Sequence, residues 1–197
     1  MAELIFRYGT MASGKSLHLL ATAHNFKENR IRYQLLKPAI DTRSEGTIHS
    51  RIGVEQPCTV VQYSDNLNNF VDPLVEWLLI DEAQFLSEEQ VNQLIGLVDN
   101  LNINVVCYGL KTDYLTRLFE GSKRLLEVAD RIEELPSYCE CGEKASVNAR
   151  FDSNGDIDVF SGNQIEIGGD EKYKAMCRKC FFDSIFSRND STTVDEQ

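Results

Sequence analysis

An α/β fold with a mostly parallel sheet, carrying a small appended module, is what the sequence predicts, and three observations predict it. From the N-terminus to Pro136, short β-rich runs alternate with longer stretches of helical period. A glycine-containing segment, Gly9 to Ser16, falls at the first strand-to-helix junction. Beyond Pro136 the periodicity changes and two close cysteine pairs appear. The expected organisation is a nucleotide-binding domain over 1–136, a cysteine-bearing module over 137–187 and a disordered acidic tail over 188–197.

Each element has a local reason. Residues 4–8, 31–36, 58–63, 77–81 and 103–108 are short, apolar and rich in β-branched or aromatic residues, as buried strands are. Stretches 15–29, 66–76, 87–99 and 115–130 have the period of helices. Ser87, followed by Glu88, Glu89 and Gln90 and then by Val91, Leu94, Ile95 and Val98, is a capped amphipathic helix with acids at the positive end of its dipole. Segment 38–56 is polar and aperiodic and carries Asp41, Arg43, His49 and Arg51. A loop of that length is either mobile or a functional lid. Past the first cysteine pair, Asn154-Gly155 within 150–159 marks a hairpin turn.

Composition narrows the function. In a chain of 197 residues, 42% hydrophobic and 26% charged residues describe a folded domain of ordinary make-up. Charge is uneven: residues 1–60 carry +3 and the remainder −14, which gives the net −11. An acidic surface repels polyanions, so general nucleic-acid binding is disfavoured, while a small anion in a basic pocket is compatible. The first residues include Glu3 where a signal peptide needs positive charge, and the longest apolar run, Trp77-Leu78-Leu79-Ile80, is far too short to span a bilayer. A cytoplasmic protein without a membrane segment is expected.

Gly9-Thr10-Met11-Ala12-Ser13-Gly14-Lys15-Ser16 matches G-x-x-x-x-G-K-[ST] between a strand and a helix. Glycines let backbone N–H groups curl around phosphate oxygens, Lys15 neutralises terminal phosphates and the Ser16 hydroxyl can ligate magnesium. Leu78-Leu79-Ile80-Asp81-Glu82 supplies a strand ending in an acid that can hold the hydrated magnesium. Glu82 can either position a water against the γ-phosphate or take a proton from a bound hydroxyl, and these roles separate an ATPase from a kinase. Cys58 and Cys107, in apolar stretches, read as small buried hydrophobes. Cys139, Cys141, Cys177 and Cys180 read more readily as metal ligands than as disulfides.

Together, Gly9 to Ser16, Lys37-Pro38-Ala39-x-Asp41-x-Arg43, Asp81-Glu82-Ala83-Gln84-Phe85, Tyr108-Gly109-Leu110, the cysteine pairs and Gly168-Gly169-Asp170-Glu171-Lys172-Tyr173 resemble the zinc-containing cytosolic thymidine kinases, often called type II. The similarity extends to about Phe182. It implies a RecA-like P-loop domain, a zinc-held lasso loop over 164–173, a homotetramer, and γ-phosphoryl transfer from ATP to the 5'-hydroxyl of thymidine. By the same resemblance Glu82 is the general base, Lys15 and Arg43 stabilise phosphate charge, and Ser16 with Asp81 takes Mg2+. ATP lies along Gly9, Thr10, Met11, Ala12, Ser13, Gly14, Lys15, Ser16, Asp81, Glu82, Ala83 and Gln84. Met11, Phe85, Leu110, Tyr114, Gly168 and Tyr173 line the nucleoside pocket, although Phe85, Leu110 and Tyr114 also read as ordinary core. The resemblance further implies dTTP as feedback inhibitor.

One departure stands out: the first pair is Cys139-Glu140-Cys141, with Tyr138 where the commoner C-x-x-C would begin. Gly142 relaxes the backbone after this tighter spacer, so a structural zinc on all four cysteines is still expected. The rival class is a small P-loop ATPase acting on nucleic acid, with a zinc ribbon. The missing second lobe and the acidic surface stand against it.

Overall fold

The strand carrying the phosphate motif lies inside an all-parallel sheet. A computed structural model describes residues 1–39, 46–159 and 172–191; Asp41, Arg43 and Gly168 lie outside the described residues. Six strands, β1 (Leu4–Tyr8), β2 (Tyr33–Pro38), β5 (Thr59–Val61), β6 (Trp77–Ile80), β7 (Asn104–Gly109) and β8 (Arg131–Glu134), form one sheet in the order β5-β2-β6-β7-β1-β8. Every neighbouring pair in it is parallel. This is the RecA-like P-loop arrangement expected, with β7 between the motif strand and the strand that ends at Asp81.

Helices cover both faces, which explains why the strands read as nearly continuous apolar runs. Ile5, Leu35, Leu79, Val106 and Tyr108 pack with Leu19, Leu20 and Ala23 of α1 (Lys15–Glu28). Leu4, Phe6, Leu36, Leu78, Ile80, Val105 and Cys107 pack on the other face with Val91, Leu94 and Leu97 of α2 (Glu88–Leu101) and Leu125 of α3 (Glu120–Val128). Consecutive strand residues face opposite cores, so a one-residue slip would exchange the two sets wholesale. Cys107 is fully buried and burial pushes its thiol pKa up, in keeping with a structural cysteine.

Several elements differ from expectation. The stretch 66–76 is no α-helix; only Leu67–Asn69 forms a 3-10 turn, capped by the Asn66 side chain accepting from the Asn68 N–H. Pro73 denies a helix interior its hydrogen bond and steers Asp72 away from helical backbone. The helix expected over 115–130 shortens to α3, because Asp113 Oδ1 accepts from the N–H groups of Leu115 and Arg117 and makes a turn there instead. Within the polar segment, β3 (Thr47–His49) and β4 (Glu55–Pro57) form an antiparallel hairpin turning through Gly53 at φ 83°. Strand β8 was not expected, since Arg-Ile-Glu-Glu carries little strand signal.

Two compact units emerge, and they interleave where a single boundary at Pro136 was expected. The first comprises Met1–Gly9, Gly14–Lys111 and Leu118–Leu135; the second comprises Thr10–Ser13, Thr112–Arg117 and Pro136–Gln197. In the second unit β9 (Val147–Arg150) pairs antiparallel with β10 (Tyr173–Met176), and Phe181 of α4 (Arg178–Ser191) packs with Val147, Ala149 and Ile157. The Asn154-Gly155 turn is present: Asp152 Oδ1 accepts from the N–H groups of Asn154 and Asp156, and Gly155 takes φ 82°. Helix α4 continues to Ser191, into the stretch expected as tail. Among the described residues, no helix is long and apolar enough to cross a membrane.

Candidate active site and metal centre

Helices α1 and α2 begin in opposite ways. At α2, Ser87 and Gln90 complete a capping box and Glu88 and Glu89 occupy the first turn. At α1, Gly14 stands in the N-cap position with no side-chain cap, and the first turn holds no acid. The partial positive charge at the start of α1 is therefore left for an external anion. Gly14 adopts φ 78° with open space around its missing side chain, so backbone conformation, and not crowding, demands glycine there. Ala12 is also left-handed, at φ 61°.

The basic group of the motif is held in place. Lys15 is buried and its Nζ donates to the Gly9 carbonyl at 3.3 Å, while the Gly9 N–H donates to the Gly109 carbonyl at 3.2 Å. Within the second unit, the Met11 N–H donates to Asn148 Oδ1 at 2.7 Å, and Thr10 and Ser137 share a hydroxyl–hydroxyl hydrogen bond. Neither Asn148 nor Ser137 was identified from sequence; each is a single polar residue in a non-motif stretch.

Asp81, at the carboxyl end of β6, is 4% exposed and hydrogen-bonds the Ser16 side chain. Burial and the adjacent Glu82 raise its pKa to about 7, against the opposing pull of Ser16 and Lys37. Two adjacent acids and a hydroxyl beside the Gly9–Ser16 loop are the hard oxygen donors that Mg2+ takes. Glu82 is left-handed, at φ 53° and ψ 35°. Its Oε2 accepts from Gln84 Nε2 at 2.6 Å, and Gln84 Oε1 accepts from the Leu110 N–H at 3.0 Å. Phe85 meets Phe119 edge-on at 5.6 Å between ring centroids. In the first unit, therefore, Lys15, Ser16, Asp81, Glu82, Ala83, Gln84, Phe85 and Leu110 line one continuous set of contacts and chain neighbours.

Of the remaining expected residues, Tyr114 and Tyr173 come together in the second unit around Arg150. This arginine, which no sequence signal singled out, is 2% exposed, stacks on the Tyr114 ring at 3.7 Å and donates to Asp158 Oδ2 at 2.8 Å. Burial alone would lower its pKa; the hydroxyls of Tyr114 and Tyr173 together with Asp158 outweigh that and raise it, keeping the guanidinium charged.

The four cysteines of the second unit converge. All are free, and their Sγ atoms lie within 4.8 Å of one another, with Cys141 and Cys177 at 3.7 Å. A tetrahedral zinc with Zn–S of about 2.3 Å needs sulfurs about 3.8 Å apart. Backbone N–H groups of Cys141 and Cys177 lower the Cys139 pKa to about 7, whereas the neighbouring sulfurs of Cys177 and Cys141 push Cys180 up to about 12. A dication held among the four sulfurs would favour their thiolate forms. The cluster fits a structural zinc, the Cys139-Glu140-Cys141 spacing included.

Comparison with known proteins gives the family. The thymidine kinase family model matches residues 2–181. A thymidine kinase of Rhodopirellula baltica is 43% identical over 195 residues, covering 95% of this chain and 92% of that protein. One from Zymomonas mobilis is 44% identical over 194 residues, covering 95% and 100%, and one from Enterobacteria phage T4 is 46% identical over 185 residues, covering 91% and 95%. Among solved structures, the Pif1 helicase of Candida albicans aligns at TM-score 0.39 and 14% identity over 68% of this chain and 36% of that one, too little to bear on either fold or function. A P-loop strand, an acid pair and a four-cysteine cluster in one matched chain lead to the same place: the chain belongs to the thymidine kinase family.

Proposed function

We propose that this chain is an ATP:thymidine 5'-phosphotransferase of nucleotide salvage, with deoxyuridine as a tolerated analogue. The observation that carries the reading is the buried Ser16–Asp81 contact with the Glu82 carboxylate held one residue further on, in a chain of the thymidine kinase family. The uncapped start of α1 and the N–H groups of 9–16 cradle the phosphates of ATP, with Asp81 to Gln84 beside them. Glu82 accepts the 5'-hydroxyl proton as that oxygen bonds the γ-phosphorus. The bond from γ-phosphorus to the β–γ bridging oxygen breaks, and its electron pair leaves with ADP. Lys15 and Arg43 offset the charge that develops. Ser16 and Asp81 would hold Mg2+, which would further neutralise the phosphate oxygens.

Met11, Phe85, Leu110, Tyr114, Gly168 and Tyr173 line the nucleoside side, and closure of 164–173 over the substrate excludes competing water. Cys139, Cys141, Cys177 and Cys180 would hold the zinc at the base of that loop. The working form in this reading is a cytoplasmic homotetramer inhibited by dTTP at the thymidine site.

ATP consumption measured with thymidine, with single-stranded DNA and with neither tests the reading. Turnover is expected only with thymidine; turnover driven by DNA instead would select the ATPase and remove the kinase. Lys15→Met protein, folded by circular dichroism, is expected to lose roughly a hundredfold or more in activity.

A further inference from the structure

The turn after the acid pair is gripped from several sides, and one side chain links the grip to Glu82. Gln84, 2% exposed, has both ends of its amide engaged. The Leu110 N–H can only donate, so the amide atom it meets at 3.0 Å is the oxygen, and that forces the amide nitrogen towards Glu82 Oε2 at 2.6 Å. Behind the turn Ala83–Phe85, two glycines have no room for a side chain. A Cβ at Gly109 would lie 2.7 Å from Gln84 Oε1 and 3.1 Å from the Gln84 N, and one at Gly121 would lie 2.6 Å from the Ala83 carbonyl and 2.7 Å from that of Leu86. Glu82 itself holds a left-handed backbone that a non-glycine residue keeps only when its surroundings over-determine it.

We propose that Gln84 is a positioning residue for Glu82: with Oε2 tied by the amide, the carboxylate is fixed in rotation and Oε1 is the oxygen turned to the substrate hydroxyl. This deepens the reading of Glu82 as general base and rests on it. A carboxylate whose rotor is locked meets the hydroxyl without first being ordered, and displacement by about 1 Å costs about a hundredfold in rate. The backbone anchor at Leu110 makes the orientation of Gln84 independent of whether substrate is present.

The test is a double-mutant cycle in the full-length protein. Gln84→Met keeps the volume and removes both hydrogen bonds; it is expected to lower kcat roughly ten- to a hundredfold while the KM for thymidine changes less than about twofold. Gln84→Glu keeps the shape and the acceptor for Leu110 but lacks the donor, and its kcat is expected to fall likewise. It provides the reading should the Met variant fail to fold. In a Glu82→Gln background either change is expected to cost less than about twofold more, because the group it acts through is already disabled. Equal losses in the presence and absence of Glu82 would make Gln84 a structural residue and overturn the proposal, as would wild-type kcat in both Gln84 variants. Wild-type kcat in Glu82→Gln alone would instead sink the general-base reading, and the positioning role with it.

Discussion

The two units of this chain are held together by different physics. The first buries large aliphatic side chains on both faces of a six-stranded sheet, each worth about 1.5–3 kcal/mol. In the second, the buried apolar cluster is Val147, Ala149, Ile157 and Phe181, and backbone ordering at about 1–2 kcal/mol per residue exceeds what so few side chains return. Polar contacts work against that deficit, with Arg150 buried between Tyr114 and Asp158, and the four cysteines that meet at one point fit a structural zinc that would work against it further. A fold stabilised by burial tolerates the loss of any one contact, whereas one centred on a metal loses everything at once.

The widest separation between the units is expected on metal removal. Zinc binding is worth about 10–16 kcal/mol in comparable thiolate sites, so chelation, or Cys177→Ser, should abolish amide protection at Ala149 and Lys174 while leaving it intact at Phe6 and Val106. Hydrogen exchange with elemental analysis reads this, and β9–β10 protection that survives without metal would erase the contrast.

A smaller effect of opposite location comes from Leu79→Ala, at the centre of the sheet. A loss of about 2–5 kcal/mol in urea unfolding of the first unit is expected, with zinc content unchanged. Metal loss in that variant would mean that the units do not answer separately. Least of all, Ser87→Ala removes half of a capping box and should lower stability by about 1 kcal/mol, again without touching the metal. A change within error would place α2's stability in its packing alone.

Legibility in the sequence followed the same divide. The parallel strands and helices of the first unit were readable because their apolar periodicity is long and consistent, and the Gly9–Ser16 motif because its residues are contiguous. Stretch 66–76 misled because its apolar spacing is helical while Pro73 and the Asn66 cap decide otherwise. Strand β8 escaped because pairing with β1, and not composition, makes it a strand. In the second unit the cysteine pairs and the Asn154-Gly155 turn were visible, yet Arg150 was not, since a charged residue becomes a core residue only when partners from distant segments surround it.

By itself, the sequence determined the α/β class, the motif at Gly9 to Ser16, the acid pair at Asp81 and Glu82, the four cysteines and the family these add up to. Such features are written in neighbouring residues or in short periods, so local propensity and spacing suffice to specify them. Only the tertiary structure decided that Thr10–Ser13 and Thr112–Arg117 group with the second unit, that Gly109 and Gly121 leave room for the turn Ala83–Phe85, and that Gln84 holds Glu82 while facing Leu110. Each depends on segments far apart in the chain meeting at van der Waals or hydrogen-bond distance, and pairing of that kind is set by how the sheet and its helices close-pack, about which a linear spacing carries no information.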